Sequence, residues 1–262
     1  MQPPQRSPLL NLKQLHQTLD PSKTMKRLGY IEDAPSDRDH VPLFGAIPAR
    51  PGDLTPWMGA PFNQAQTSTC VAQAIVKSIS IREAKAGRKS PQVSRLYGYY
   101  YARKRLNTES QMSGDHGCRP RDALDAFRLM GSPPETAWPF ELSRLNKRPS
   151  QLIQREGVDL TFEYKRCRFL GEARMALAQG HPVIVGFMVD EYFMDGRGPD
   201  VITDFDKDRI LGGHMGTLVK DDPEREELTL LNSYGPNWRQ NGTVRVTYKL
   251  VQKHARDLWA IV

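Results

Sequence analysis

Little in this sequence supports a disulfide-stapled or membrane-embedded chain. Three cysteines in 262 residues are too few for a disulfide framework. Their odd number leaves at least one thiol unpaired within the chain. No apolar run approaches the ~20 residues of a membrane-spanning helix. The N-terminal stretch MQPPQRSPLLNLKQL lacks the apolar segment of a secretory signal, so a cytoplasmic, non-classically exported or virion-associated setting is expected. Internal repeats and low-complexity tracts are missing. Charge lacks concentration: 37 Lys+Arg against 30 Asp+Glu give a net +7, but the longest basic run is Arg103-Lys104-Arg105. Nucleic-acid binders gather their cations on one face or in one tract. The excess here reads as solvated surface, with no sequence-specific nucleic-acid partner. With 39% apolar residues, the length is enough for a sizeable core in one or two domains.

Residues 1–44 differ from the rest. They hold Pro3, Pro4, Pro8, Pro21, Pro35 and Pro42 around one short apolar-periodic stretch, Leu9–Leu19, and read as an extended arm or a tail. From Thr69 the period becomes helical, with Val71, Ala74, Ile75, Ser78 and Ile79 on one stripe and Gly87 as a stop. Thr67, Ser68 or Thr69 supplies the N-cap. Further helices are expected over Ser94–Leu106, from Pro120 to Gly131, and over Glu172–Gln179 before Gly180. Strands are expected at Pro182–Val189, Leu228–Asn232 and Thr243–Tyr248, with Pro236–Gly242 as a loop. Helices first and strands later imply an α+β fold.

Cys70 falls in the first turn of the helix that follows Thr69. Unpaired N–H groups and the positive end of the helix dipole there favour a thiolate, the nucleophilic form; a buried small apolar residue is the bland alternative. Gln64, six residues upstream, carries an amide suited to hold an oxyanion beside the Cys70 N–H, or is an ordinary loop residue. His214 lies in Leu211-Gly-Gly-His-Met-Gly216, where an apolar strand begins. Asn232 follows at the end of the next strand, with an amide able to orient an imidazole.

Cys, His and Asn in this order and spacing fit papain-like enzymes, and the surrounding words carry the likeness. Asn63-Gln64 through Cys70-Val-Ala72 resembles that family's NQG…SCWA segment. Gly213-His214 resembles its GHA, and Asn232-Ser-Tyr-Gly-Pro-Asn-Trp-Arg-Gln-Asn-Gly242 resembles NSWGxxWGxxG. Gly52-Asp-Leu-Thr-Pro56, Gly114–Asp122 and Asp257-Leu-Trp-Ala-Ile261 resemble segments of bacterial members. The chain from about Leu43 to Val262 thus resembles the papain-like cysteine peptidases of clan CA, in their bacterial, xylellain-like branch. Ala65 and Ser68 stand for glycines, Val71 and Tyr234 for tryptophans, and Arg239 for a glycine.

The resemblance implies a two-lobed α+β fold. An arm (1–44) precedes a peptidase region (45–262), whose helical lobe spans about 45–150 and whose sheet or barrel lobe spans about 151–262. It implies peptide hydrolysis by Cys70, His214, Asn232 and Gln64, with no cofactor and no metal. His116, Gly117, Cys118 and Gly213 would meet the substrate backbone, with Val185–Gly186 and Met215 as pocket walls. It further implies that part of the arm covers the cleft. Cys118 and Cys167 are expected as free thiols. A protein or peptide is the expected partner, and oligomeric state is left open. Two other functions compete: an amidase of the NlpC type acting on peptidoglycan, and a virion or secretion component that binds through its cleft.

Overall fold

The computed structural model describes residues 28–37, 39, 50–89, 92–106, 112–158 and 160–262. The helix expected over Leu9–Leu19 lies outside the described residues, as does most of the arm.

Helix α1 (Cys70–Lys85) is apolar nearly all round, and its residues from Cys70 to Ile81 are buried. A helix of that kind belongs in an interior, and α1 packs between the other helices and the sheet. Helix α2 (Arg95–Leu106) starts where the Ser94 hydroxyl accepts the Tyr97 N–H at 3.1 Å. Helix α3 (Pro120–Met130) opens on a proline, which fits the first turn, and stops at Gly131 with φ of 62°. Its apolar face seats Phe127 against Gly98 of α2, where a Cβ would lie 2.0 Å from the ring. A short α4 (Gln151–Arg155) is capped by Ser150.

The remainder is built around one sheet. Its strands are β1 (Tyr164–Arg166), β2 (Val183–Asp190), β3 (Val201–Ile202), β4 (Ile210–Asp222), β5 (Glu227–Leu231), β6 (Thr243–Thr247) and β7 (Ala255–Ile261). The order is β1-β7-β2-β4-β5-β6-β3, antiparallel except for the β3–β6 pair. Helices α5 (Leu170–Gln179), α6 (Glu191–Asp195) and α7 (Tyr248–His254) lie between strands. The α5 C-terminus is closed by Gly180 in the left-handed region.

Side chains on a strand alternate between faces, and β2 shows what this does. Ile184 joins Met215 and Trp259 in a core with Cys70, Ile75 and Phe127 of the helices. Val185 joins Leu177, Leu218 and Val246 in a second core on the other face. Val185 therefore belongs to the interior and is not a pocket wall. Cys70 starts the central helix against the first face of the sheet, whereas His214, the register partner of Phe187, lies on the second face beside Phe193 and Tyr234.

Three boundaries differ from expectation. Strand β4 begins at Ile210, so His214 sits inside it rather than at its start. Gly212 and Gly213, which look like strand breakers, pair with Val189 and Met188 of β2 and are small because the arm passes over them. Asn232 lies just past β5, and Tyr248 opens α7 instead of closing β6.

Candidate active site

Cys70 is the first residue of α1, behind Thr69. None of the expected caps donates or accepts at the helix start as a side-chain cap; the three side chains build the turn instead. The Thr67 hydroxyl donates to Gln64 O at 2.6 Å and meets the Thr69 hydroxyl at 2.7 Å. The Ser68 N–H donates to Asp115 Oδ2 at 2.7 Å. Ala65, where the resemblance calls for glycine, has φ of 50° and is held there by its N–H on Asn63 Oδ1 at 2.9 Å.

The Cys70 thiol is fully buried. Burial pushes it up to about 11, although the nearby backbone of Met215, Gly29 and Val71 favours the charged form. In the covered state desolvation outweighs the helix start, and the sulfur holds its proton. Burial also raises Cys118 well above its ordinary value and Cys167 to about 12. All three thiols are free.

His214 is buried on β4. Its Nε2 lies 2.7 Å from Asn232 Oδ1. The same oxygen accepts the Ser233 N–H at 2.7 Å, which fixes the amide orientation, because only an oxygen receives that donor. Nε2 therefore carries a hydrogen and donates it, leaving Nδ1 for chemistry. Tyr234 stacks on the imidazole with centroids 4.8 Å apart. Its hydroxyl lies 3.1 Å from Nδ1 and 3.0 Å from Met194 Sδ.

Gln64 is fully buried. Its Oε1 accepts the Ser233 hydroxyl at 2.6 Å, and its Nε2 donates to Thr67 O at 2.6 Å. The Gln64 N–H also donates to Ser233 O at 2.8 Å. Ser233 was not singled out in the sequence, yet it joins Gln64 to Asn232 and through it to His214. Gln64, Asn232 and His214 thus form one connected group through Ser233, and the backbone of Met215, the residue after His214, lies near the Cys70 sulfur.

The expected substrate strip is occupied by the chain itself. Cys118 N–H donates to Gly29 O at 2.9 Å, Ile31 N–H to Cys118 O at 3.2 Å, and Tyr30 N–H to Gly213 O at 3.0 Å. Tyr30 runs parallel to Cys118 as a β-bridge. Gly117 has φ of 78°, and a Cβ on it would lie 2.0 Å from Gly29 O. Its N–H donates to the Tyr99 hydroxyl at 2.9 Å, and that hydroxyl donates to Asp115 Oδ1 at 2.6 Å. Asp115 therefore ties the strip to the turn before Cys70. His116 is exposed and leans over Gly114 instead.

Past Tyr30 the arm is held by charge. Tyr30 hydroxyl and Asp33 N–H both donate to Asp257 Oδ2, at 2.6 and 2.9 Å. Arg166 Nη2 pairs with Asp257 Oδ1 at 2.7 Å. Asp39 bridges Arg121 at 2.6 Å and Arg166 at 2.9 Å. The sequence signal for this knot was weak: Asp257 stood only in a closing motif, and Tyr30 in a segment of low complexity in neither sense. Among the described residues no cluster of His, Cys, Asp and Glu is arranged to hold a metal, and no helix is long and apolar enough to cross a membrane.

No family model matches the chain. An uncharacterised peptidase C1-like protein of Acanthamoeba polyphaga mimivirus is 25% identical over 279 aligned positions, covering 93% of this chain and 89% of its own length. Among solved structures, xylellain, a cysteine protease from Xylella fastidiosa, superposes with a TM-score of 0.80 at 26% identity, over 93% of this chain and 98% of its own. Procathepsin B from Trypanosoma congolense, at 13% identity, shares the fold with a TM-score of 0.68 over 89% of this chain and 85% of its own. The two-lobed α+β architecture is the papain-like fold, and these likenesses support a papain-like cysteine peptidase of clan CA.

Proposed function

We propose that the chain is an endopeptidase working through Cys70, His214, Asn232 and Gln64, held silent by its own arm. The observation that carries this reading is the unbroken line Gln64–Ser233–Asn232–His214, with Cys70 buried at the first position of the central helix. In the open enzyme His214 Nδ1 takes the Cys70 proton, and the thiolate attacks the peptide carbonyl carbon. The carbonyl π pair moves to oxygen, where Gln64 Nε2 and the Cys70 N–H stabilise it. His214 then delivers its proton to the amine nitrogen as the C–N bond breaks, leaving a thioester. Water, deprotonated by Nδ1, attacks the thioester and releases the acid, and Cys70 regains its proton. Asn232 keeps the ring in plane throughout.

Self-inhibition is supported by residues 29–31 lying on Cys118 and Gly213, with the Gly29 backbone near the Cys70 sulfur. In this reading 1–44 is the covering arm and 45–262 the peptidase region. Comparing full-length wild type with Cys70→Ala on a peptidyl-coumarin substrate and an epoxide thiol probe tests the assignment. Both signals are expected to vanish in the variant. Labelling that persists moves the nucleophile to Cys118 or Cys167. Hydrolysis of cell-wall sacculi without peptide hydrolysis moves the reading to an amidase.

A further inference from the structure

His214 sits among aromatic rings supplied by the loop after β5 and by α6. Tyr234 lies 4.8 Å from the imidazole, centroid to centroid, and Phe193 lies 5.5 Å from it. Trp238 backs Phe193 at 5.3 Å, and its indole N–H donates to Phe193 O at 3.3 Å. Ring faces attract a cation, which offsets part of the cost of charging a buried imidazole. The charged residues around this group are engaged elsewhere. Asp190 at the end of β2 accepts the Phe193 and Asp206 N–H groups, each at 2.9 Å. Glu191 on α6 pairs with Arg209. Arg239 holds the carbonyls of Tyr192, Arg197 and Pro199, at 3.2, 2.6 and 2.8 Å. From α1, the titratable neighbour of Tyr234 is Cys70.

The Tyr234 hydroxyl has one hydrogen and two partners, His214 Nδ1 at 3.1 Å and Met194 Sδ at 3.0 Å. Burial lifts this phenol well above its ordinary value, so it keeps its proton and is not itself a base. A thioether sulfur can only accept. A neutral imidazole with its hydrogen on Nε2 can only accept at Nδ1, and an imidazolium can only donate there. In the neutral state the hydroxyl must choose between Nδ1 and Sδ. In the charged state every atom in the line is matched. Asn232 Oδ1 takes the Nε2 hydrogen, Tyr234 Oη takes the Nδ1 hydrogen, and Met194 Sδ takes the phenol hydrogen. A bond from a charged donor is about twice as strong as a neutral one, so the line favours the charged ring.

We infer that Tyr234 and Met194 hold the catalytic proton on His214: as Nδ1 takes the Cys70 proton, the Tyr234 oxygen turns from donor to acceptor and its hydrogen swings to Met194 Sδ. This rests on the peptidase reading and deepens it. No proton is gained or lost in the swing, because the phenol O–H bond stays intact and only rotates. When Nδ1 gives its proton to the leaving amine, the hydroxyl turns back and donates to the neutral ring until water is deprotonated. A tyrosine does this where a tryptophan would not, because an indole N–H donates and has no oxygen to accept.

The test uses the full chain and a peptidyl-coumarin, with kcat/KM followed across pH. The alkaline limb reports loss of the His214 proton in the free enzyme. Tyr234→Phe keeps the ring and removes the oxygen. Its alkaline limb is expected about one pH unit below wild type, because the charged ring loses a stronger partner than the neutral ring does. Met194→Leu keeps the bulk and removes the acceptor, and is expected to move the limb the same way by about half as much. The arm is the same in all three proteins, so its own titration cancels in the comparison. Nitrogen NMR of the labelled imidazole reads the same shift without turnover. A loss of rate at every pH with the limb in place, in either variant, is what a purely structural role gives and overturns the proposal. An upward shift overturns it too, since the hydroxyl would then serve the neutral ring. Wild-type hydrolysis with unmoved variant limbs sinks this assignment and leaves the peptidase reading standing. A downward NMR shift in a chain that neither hydrolyses peptide nor labels at Cys70 does the reverse.

Discussion

The two sides that meet in the cleft are built by opposite rules. On the catalytic side, side chains orient side chains: Gln64 through Ser233, Asn232 through the Ser233 N–H, His214 through Asn232. On the arm side, residues 29–31 are held by main-chain bonds and by glycines that let two backbones approach. Side chains enter with the Tyr30 hydroxyl on Asp257 and continue in the Asp33–Asp257–Arg166–Asp39–Arg121 knot. The main-chain part admits no side chain at its glycines, and its amide bonds are indifferent to pH. The knot is specific in its residues and depends on protonation and salt. Changes on the catalytic side should therefore lower activity, and changes on the arm side should alter how often the site is open.

The largest effect is expected from Gln64→Ala, which in the proposed mechanism removes a donor from the place where negative charge develops. A loss of about 10²–10³ in kcat with little change in KM is expected on a peptidyl-coumarin; a pure KM effect would shift Gln64 from the chemistry to the binding side of the comparison. A smaller and pH-dependent effect is expected at Asp33. Burial pushes its carboxyl up to about 7, against the Arg121 N–H and guanidinium, with Asp257 and Asp122 adding to the rise; Arg166 also contacts its backbone carbonyl. The docked arm favours protonated Asp33. Its contribution to docking is complete below the ordinary value of 3.8 and fades as pH climbs towards 7. Asp39 works in the other sense. Burial opposes its charge, but hydrogen bonds from Arg166 and Arg121 hold it low, so its support fails only in stronger acid. Asp33→Asn should keep the arm docked near pH 7.5 and slow Cys70 labelling there about tenfold, while matching wild type near pH 4. Equal rates at both pH values would make the knot as insensitive as the main-chain part. The smallest effect is expected at Ala65, a non-glycine residue in left-handed backbone. Ala65→Gly should stabilise the fold by about 1 kcal/mol and raise Tm by about 2–4 °C in a scanning calorimeter.

The central helix was legible because its apolar spacing runs unbroken from Val71 to Ile81 and a glycine follows. His214 and Asn232 were legible as a pair because their words and spacing are local. The start of β4 was misread, since Gly212 and Gly213 signal a break when read alone; their smallness answers to the arm, nearly two hundred residues earlier in the chain. Strands β1 and β7 escaped notice for a related reason. β1 has only three residues and exists as a strand because it pairs with β7, which in turn pairs with β2. The hold of Asp257 on Tyr30 spans 227 positions, and nothing in either neighbourhood announces it. Ser233 was hidden inside a motif whose better-known letters flank it.

Ser233 has a consequence of its own. Its hydroxyl serves Gln64, from the loop before α1, and its N–H serves Asn232, beside the sheet. The hydroxyl bond crosses the seam between the two lobes, whereas the N–H bond to the adjacent Asn232 stays on the sheet side. If the lobes part, Gln64 loses its partner while Asn232 keeps its hold on His214. In the proposed mechanism a loosened seam acts as a one-sided latch: the oxyanion donor is released first, and the base stays aligned.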